Sequence, residues 1–315
     1  MRKSSSNPPT NIIPSNIDEA DLVRAVETSG YPLQGVVAEK LEKLEFKVTE
    51  EWGFIDSDSQ QHRSLDIFAY KILHGDGKDP ISPRVALLIE CKRTIHPYVF
   101  FKAISESKIF TFPVVAGVAG AGVELEQRDG KMSMSASGQR VLGLDQLPFV
   151  NSVPRCASFS KALPSGKRVE LSGADPFNGI VLPLVKALEY ANKMYKPHGN
   201  VRVDPTLLLC MCVLDAPMVL VESPTKASDP VLTPWVRITR IQASLEPHRN
   251  PYKFHAIDMI HIDSLESIMV NHVTPFTEEF TNRALRLGAI WKSGGVVESL
   301  AGWEWDQIKV KPAKK

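Results

Sequence analysis

The sequence predicts an α/β fold with a mixed central sheet and helices packed on its faces. Three features carry that prediction. Amphipathic helical segments alternate with strand-like runs along the chain. The run RVALLIECK (84–92) is apolar on both faces, as strands covered on both sides are. The connection HGDGKDPISP (74–83), with two glycines and two prolines, joins that run to RSLDIFAYKIL (63–73) as a hairpin.

Taken in order, residues 1–30 are rich in Ser, Asn and Pro and are expected to form a flexible tail, with one short helical turn at DEADLVRAV. In YPLQGVVAEKLEKLEF, Leu33, Val37, Leu41 and Leu44 recur at helical spacing, with charged residues opposite. FKVTEEWGFID reads as extended chain, and SDSQQH as the loop before the first hairpin strand. PYVFFKAISESKIF is expected to begin a helix or an extended lid, and 113–175 to be an irregular insertion. DPFNGIVLPLVKALEYANKMY restores helical order, with Val181, Val185 and Leu188 on one face, Asp175 as a cap and Pro183 in the first turn. TLLLCMCVL, PMVLVES, WVRITRIQA and FHAIDMIHID read as strands. TPFTEEFTNRALRLG reads as a last helix, with acidic residues in its first turn and a stop at Gly288. One domain over 31–290 is expected, followed by a basic C-terminal extension, 291–315.

Composition sets limits on function. The chain has 315 residues, and 37 basic side chains balance 36 acidic ones for a net charge of +1. Any polyanionic partner must therefore meet a local basic surface. Cys91, Cys156, Cys210 and Cys212 form no CxxC pair and have no histidine at zinc spacing, so buried free thiols in a reducing compartment are expected. The N-terminus has no apolar h-region, and the apolar stretches are short or interrupted by Asp215 and Pro217. A soluble, cytoplasmic protein without a membrane partner is the expectation. GVAGAG lacks the ending of a phosphate loop, His255 and His261 stand in no HExxH pattern, and G-x-S-x-G does not occur.

The chemistry lies in the hairpin. Centred on the Gly/Pro connection, its register sets Asp66 opposite Glu90 and Lys92. Side chains alternate along a strand, so Glu90 and Lys92 share a face while Cys91 points away. Two carboxylates and the backbone carbonyl of Cys91 are hard oxygen donors suited to Mg²⁺, with Mn²⁺ able to substitute. A lysine beside them can stabilise negative charge that builds on a phosphoryl group. Arg63, Lys71 and Arg93 flank this cluster as candidate phosphate contacts. Tyr98, Phe100 and Phe101 are expected to pack as an aromatic cluster rather than to stack on bases.

With the helix YPLQGVVAEKLEKLEF ahead of them, the LDIFA and ALLIECK strands resemble the PD-(D/E)xK, or restriction-endonuclease-like, nuclease superfamily. The resemblance covers roughly 31–101, and LLLCMCVLDAPMVLVES is similar to a further pair of core strands. It implies an α/β/α sandwich, Mg²⁺ dependence and hydrolysis of DNA or RNA. It also implies Asp66 and Glu90 as metal ligands and Lys92 as the catalytic lysine. Such a nuclease serves restriction, repair or defence, alone, as a homo-oligomer or with a partner protein. The chain departs from the pattern where many members carry a helix glutamate. Gln34 stands there, and Glu39 lies about 140° further round the helix. The alternatives are a degenerate nucleic-acid-binding module and a regulatory subunit.

Overall fold

Leu33, Val37 and Leu41 are all buried, so the helical spacing of YPLQGVVAEKLEK becomes one packed face of a helix, α2 (Tyr31–Lys43). Before it runs α1 (Glu19–Thr28), a ten-residue helix where one turn was expected. The Asp18 carboxylate caps α1, accepting the N–H groups of Ala20 (2.8 Å) and Asp21 (3.1 Å). Among the described residues, no side chain of α1 is buried. The structure, a computed structural model, describes residues 4–76, 79–104, 112–118, 121–127, 130–136, 138–195, 203–223, 230–243, 252–293, 296–299 and 308–311.

The strands are β1 (Lys47–Ile55), β2 (His62–Ile72), β3 (Arg84–Arg93), β4 (Tyr98–Lys102), β5 (Val114–Ala116), β6 (Ala121–Gln127), β7 (Gly130–Ala136), β8 (Arg155–Ser165) and β9 (Arg168–Ser172). They continue as β10 (Thr206–Asp215), β11 (Met218–Val221), β12 (Val231–Leu232), β13 (Trp235–Ala243), β14 (Tyr252–His261), β15 (Val296–Ser299) and β16 (Ile308–Lys311). Twelve of them form one mixed sheet, ordered β1-β2-β3-β10-β14-β13-β8-β4-β11-β12, with β5 on β10 and β9 on β8. Strands β1, β2 and β3 make an antiparallel meander, and β10 runs parallel to β3 along its whole length. No helix among the described residues is long and apolar enough to cross a membrane.

Two apolar cores lie on the two faces of this sheet, because β3 and β10 are buried on both. Leu87, Ile89, Leu209 and Met211 join α2 and the helix α4 (Thr274–Ser293) on one face. Leu88, Cys210 and Cys212 join the helix α3 (Leu182–Met194) on the other. Val181, Val185 and Leu188 are buried there as the spacing requires, and Pro183 falls in the first turn of α3. All four cysteines are buried free thiols.

Several expectations need correction. PYVFFK is the strand β4 rather than a helix start, with Tyr98 and Phe100 buried and Phe100 stacked on Phe159 at 5.7 Å. Residues 105–110, the end of that segment, lie outside the described residues. The region 113–175 contains β5 to β9, and β6 and β7 form a second sheet with β15 and β16 from the C-terminal extension. Helix α4 passes through Gly288 instead of stopping there, and no acidic residue lies in its first turn. The glycine answers to packing: a Cβ at 288 would come within 1.7 Å of Ile81 Cδ1.

Strands β3 and β10 stop together. Pro97 and Pro217 cannot donate to a ladder, and beyond them the two chains resume as the parallel pair β4 and β11. The break leaves two short loops, Thr94–Pro97 and Ala216–Pro217, above the C-terminal ends of the parallel strands.

In β13, Arg237 is fully buried. Its Nε and Nη2 donate to the two carboxylate oxygens of Asp258 at 2.9 and 3.0 Å. Its Nη1 donates to the carbonyls of Phe149 and Val150, at 2.9 and 3.0 Å. The rings of Phe112 and Phe149 lie 4.4 and 4.6 Å from the guanidinium carbon. Trp235 Nε1 gives Asp258 a further hydrogen bond at 3.0 Å.

Candidate metal and phosphate site

The hairpin register pairs Ile67 with Ile89, so its extension sets Asp66 against Glu90. Pairing ends one residue short of that point, because β2 there parts from β3. The outer strand changes there too. β1 and β2 pair at Glu50–Ile67 and at Trp52–Leu65, leaving Glu51 and Asp66 between. Val48 and Ile67 belong to the α2 face, whereas Trp52 and Leu65 belong to the α3 face. Both strands thus switch faces at this step, and Glu51 has a left-handed backbone with φ +48°.

The divergence frees the Cys91 N–H from its ladder. The Asp66 side chain takes over as acceptor, with Oδ2 2.7 Å from the Cys91 nitrogen. N–H and C=O of one strand residue point to the same edge, so the Cys91 carbonyl faces this gap as well. Gly30, which opens α2, packs against it, and a Cβ there would lie 3.9 Å from the carbonyl oxygen. Lys92 Nζ lies 2.5 Å from Glu90 Oε2 and 3.7 Å from Asp66 Oδ2, so one ammonium bridges both carboxylates.

A cavity of about 390 Å³ opens between the first turn of α2 and these strand ends, lined by Gln34, Glu51, Asp66, Lys92 and Arg93 among others. The Glu90 side chain is 5% exposed and lies behind Lys92, outside that lining. Burial raises its carboxyl to about 7, with Asp66 adding to the rise and Lys92 opposing it. Burial works against the Lys92 ammonium, yet the charges of Glu90 and Asp66 prevail and hold its pKa above the usual value.

The other expected residues divide. Gln34 is buried and faces the site, its Nε2 donating to the Asp66 carbonyl at 2.9 Å. Glu39 does not; it is exposed and paired with Lys43 at 2.7 Å. Arg93 lines the cavity, with Nε 3.0 Å from Asp215 and Nη1 2.5 Å from the Glu27 carbonyl. Arg63 and Lys71 are not brought to it. Arg63 is held at 2.8 Å by Asp56, whose carboxyl is lowered to about 2 by the Asp58 N–H and then by Arg63 and Lys186 against the effect of burial. Lys71 lies five residues beyond Asp66, roughly 16 Å along β2, and binds Glu45 at 2.9 Å and the Leu44 carbonyl at 3.0 Å. Both basic residues had local carboxylate partners, which strand position alone does not disclose.

Glu51 was missed. The apolar alternation Phe46, Val48, Trp52, Phe54 lapses only at Glu50, and one polar residue in a strand does not disclose the change of face that brings Glu51 to the cavity.

Asp66, Glu90 and the Cys91 carbonyl are hard oxygen donors, the set that Mg²⁺ or Mn²⁺ accepts while keeping several waters. Among the described residues no group of three or more His, Cys, Asp or Glu side chains is placed to hold a metal ion. The side-chain donors are therefore two carboxylates, and Lys92 must release Glu90 before both can meet one cation. Because the Glu90 carboxyl is raised to about 7, that step also removes a proton at acidic pH. Mn²⁺ affinity is expected to rise about tenfold per pH unit up to about 7 and to level off above it. Calorimetry in two buffers of different ionisation heat checks this by counting protons released at pH 6 and pH 8. A flat profile would remove Glu90 from the ligand set.

Compared with known proteins, the chain matches no family model, no curated protein and no solved structure.

Proposed function

We propose that the protein is a divalent-metal-dependent nuclease of the restriction-endonuclease-like kind, hydrolysing phosphodiester bonds of DNA, with RNA as a second substrate class. The observation that carries this reading is the convergence of Asp66 and Lys92 at one cavity, with Glu90 directly behind. The order of elements supports it: α2, the meander β1 to β3 and, after the inserted β4 to β9, α3 and a strand parallel to β3. Asp66, Glu90 and the Cys91 carbonyl would hold Mg²⁺, which supplies Lewis acidity at the phosphoryl oxygens and acidifies water. Lys92, released from Glu90, donates hydrogen bonds to the oxygen that gains charge in the transition state. Arg93 and the N-terminal end of α2 add positive potential where a phosphate would lie.

The test is incubation of the full chain with plasmid and single-stranded substrates in Mg²⁺, in Mn²⁺ and in chelator. Cleavage is expected with either metal and none without. Lys92→Met is expected to keep Mn²⁺ binding and to lose turnover by about 10²-fold or more, the scale seen when a transition-state donor is removed. An unchanged kcat would leave Lys92 as an ion-pair partner only.

A second reading has an observation of its own. The amide of Gln34 stands where a third carboxylate would serve, and it is spent on the Asp66 carbonyl. Nucleic-acid binding without turnover is the outcome this favours, and the same incubation, followed by a binding assay, separates the two.

A further inference from the structure

Beside the carboxylate cavity, and sharing Arg93 with it, lies a larger cleft of about 710 Å³. It exists because β3 and β10 break at Pro97 and Pro217, which leaves a hollow above the C-terminal ends of parallel strands, where α/β sheets commonly bind ligands. Its walls combine two chemistries. Ile95, 86% exposed, and Pro217 offer apolar surface, while Arg93, His96, Asp215 and His261 offer polar groups. His261 Nδ1 accepts the Asp263 N–H at 3.3 Å and lies 3.6 Å from the Asp263 carboxylate.

We infer that this cleft receives one unpaired nucleotide next to the phosphate bound at the carboxylate cavity, so that the protein selects single-stranded or locally opened nucleic acid. The inference rests on the nuclease-site reading above and names its substrate class. Volume is compatible with it, since about 710 Å³ lies within the range of pockets that take a single small ligand. Charge supports it. Arg93 stands on the side shared with the carboxylate cavity, where the phosphate would lie. Asp215, 3.0 Å from Arg93 Nε, lines this cleft but not the carboxylate cavity, and it accepts hydrogen bonds from base amino groups or sugar hydroxyls. The apolar wall and the histidine rings suit the flat face of a base, whatever its identity.

The test is fluorescence anisotropy of the full chain with one labelled oligonucleotide, single-stranded or annealed to its complement, in Ca²⁺ to suppress cleavage. The single strand is expected to bind about tenfold tighter than the duplex, the scale of one stacked base. His96→Ala/His261→Ala should erase that preference while leaving Mn²⁺ calorimetry unchanged. A milder variant, Ile95→Asp, should weaken single-strand binding alone if the double variant misfolds. Equal affinity for both oligonucleotides, or a preference that survives these variants, overturns the proposal. Absence of any oligonucleotide binding overturns it too, and Mn²⁺ binding in the same sample then shows whether the metal-site reading stands without it. A DNA and an RNA single strand compared side by side separate the two sources of the same nucleotide chemistry.

Discussion

On the proposed function, Asp66→Asn is expected to lower cleavage by roughly 10³-fold, since a Lewis-acid site contributes several kcal/mol of charge stabilisation and this change removes one of the two anionic donors assigned to it. Asparagine is the informative replacement. Asp66 also accepts the Cys91 N–H at 2.7 Å, and Asn retains an oxygen for that bond. Asp66→Ala would orphan the N–H as well, adding about 1–3 kcal/mol of instability that confuses the result. The measurements are single-turnover cleavage in saturating Mg²⁺, Mn²⁺ calorimetry and a urea midpoint. Wild-type cleavage by Asp66→Asn would place the chemistry elsewhere. Loss of cleavage together with a lowered urea midpoint in Asn would reassign Asp66 as a strand cap.

Arg237→Ala is expected to destabilise the protein by about 3–5 kcal/mol, because it strands the buried Asp258 carboxylate without its cation. The guanidinium also joins β13 to the carbonyls of Phe149 and Val150 and fills the space between two rings. The double variant Arg237→Met/Asp258→Leu is expected to recover much of that loss, since two well-packed apolar residues carry no desolvation penalty. Urea unfolding of both single variants and the double measures the coupling. A double variant as unstable as the two singles combined would show that the charges do not act as a pair.

The hairpin and the buried face of α2 were legible because local rules fix them. The Gly/Pro connection sets the register of β2 on β3, and the spacing of Leu33, Val37 and Leu41 has one physical solution. The phase of the same helix was legible enough to separate Gln34, which faces the site, from Glu39, which does not. Other features depend on residues far away in sequence. Arg237 alternates with Val236 and Ile238, which reads as a solvent-facing position, yet Phe112 and Phe149 cover it. Gly288 reads as a helix stop until Ile81 is placed against it. Glu51 reaches the cavity through a change of face that the sequence marks only by Glu50 in an otherwise apolar alternation. The partners of Arg63 and Lys71 are carboxylates brought near by loops and helix ends, and no strand pattern predicts those.

The parallel pairing of β3 with β10 also bears on how the chain is made. Arg84 pairs with Thr206, so about 120 residues must follow β3 before its neighbour exists. At a synthesis rate of about 5–20 residues per second, that interval lasts roughly 6–24 s. Throughout it the nascent meander presents β3 as an open edge, apolar on both faces, and non-local pairing of this kind closes slowly even once both strands are available. A ribosome-released fragment ending near residue 200 is therefore expected to sediment as aggregate unless a chaperone is supplied, whereas the full chain stays in the supernatant. A fragment that remained monomeric would mean that β1 and β2 shield the edge before β10 arrives.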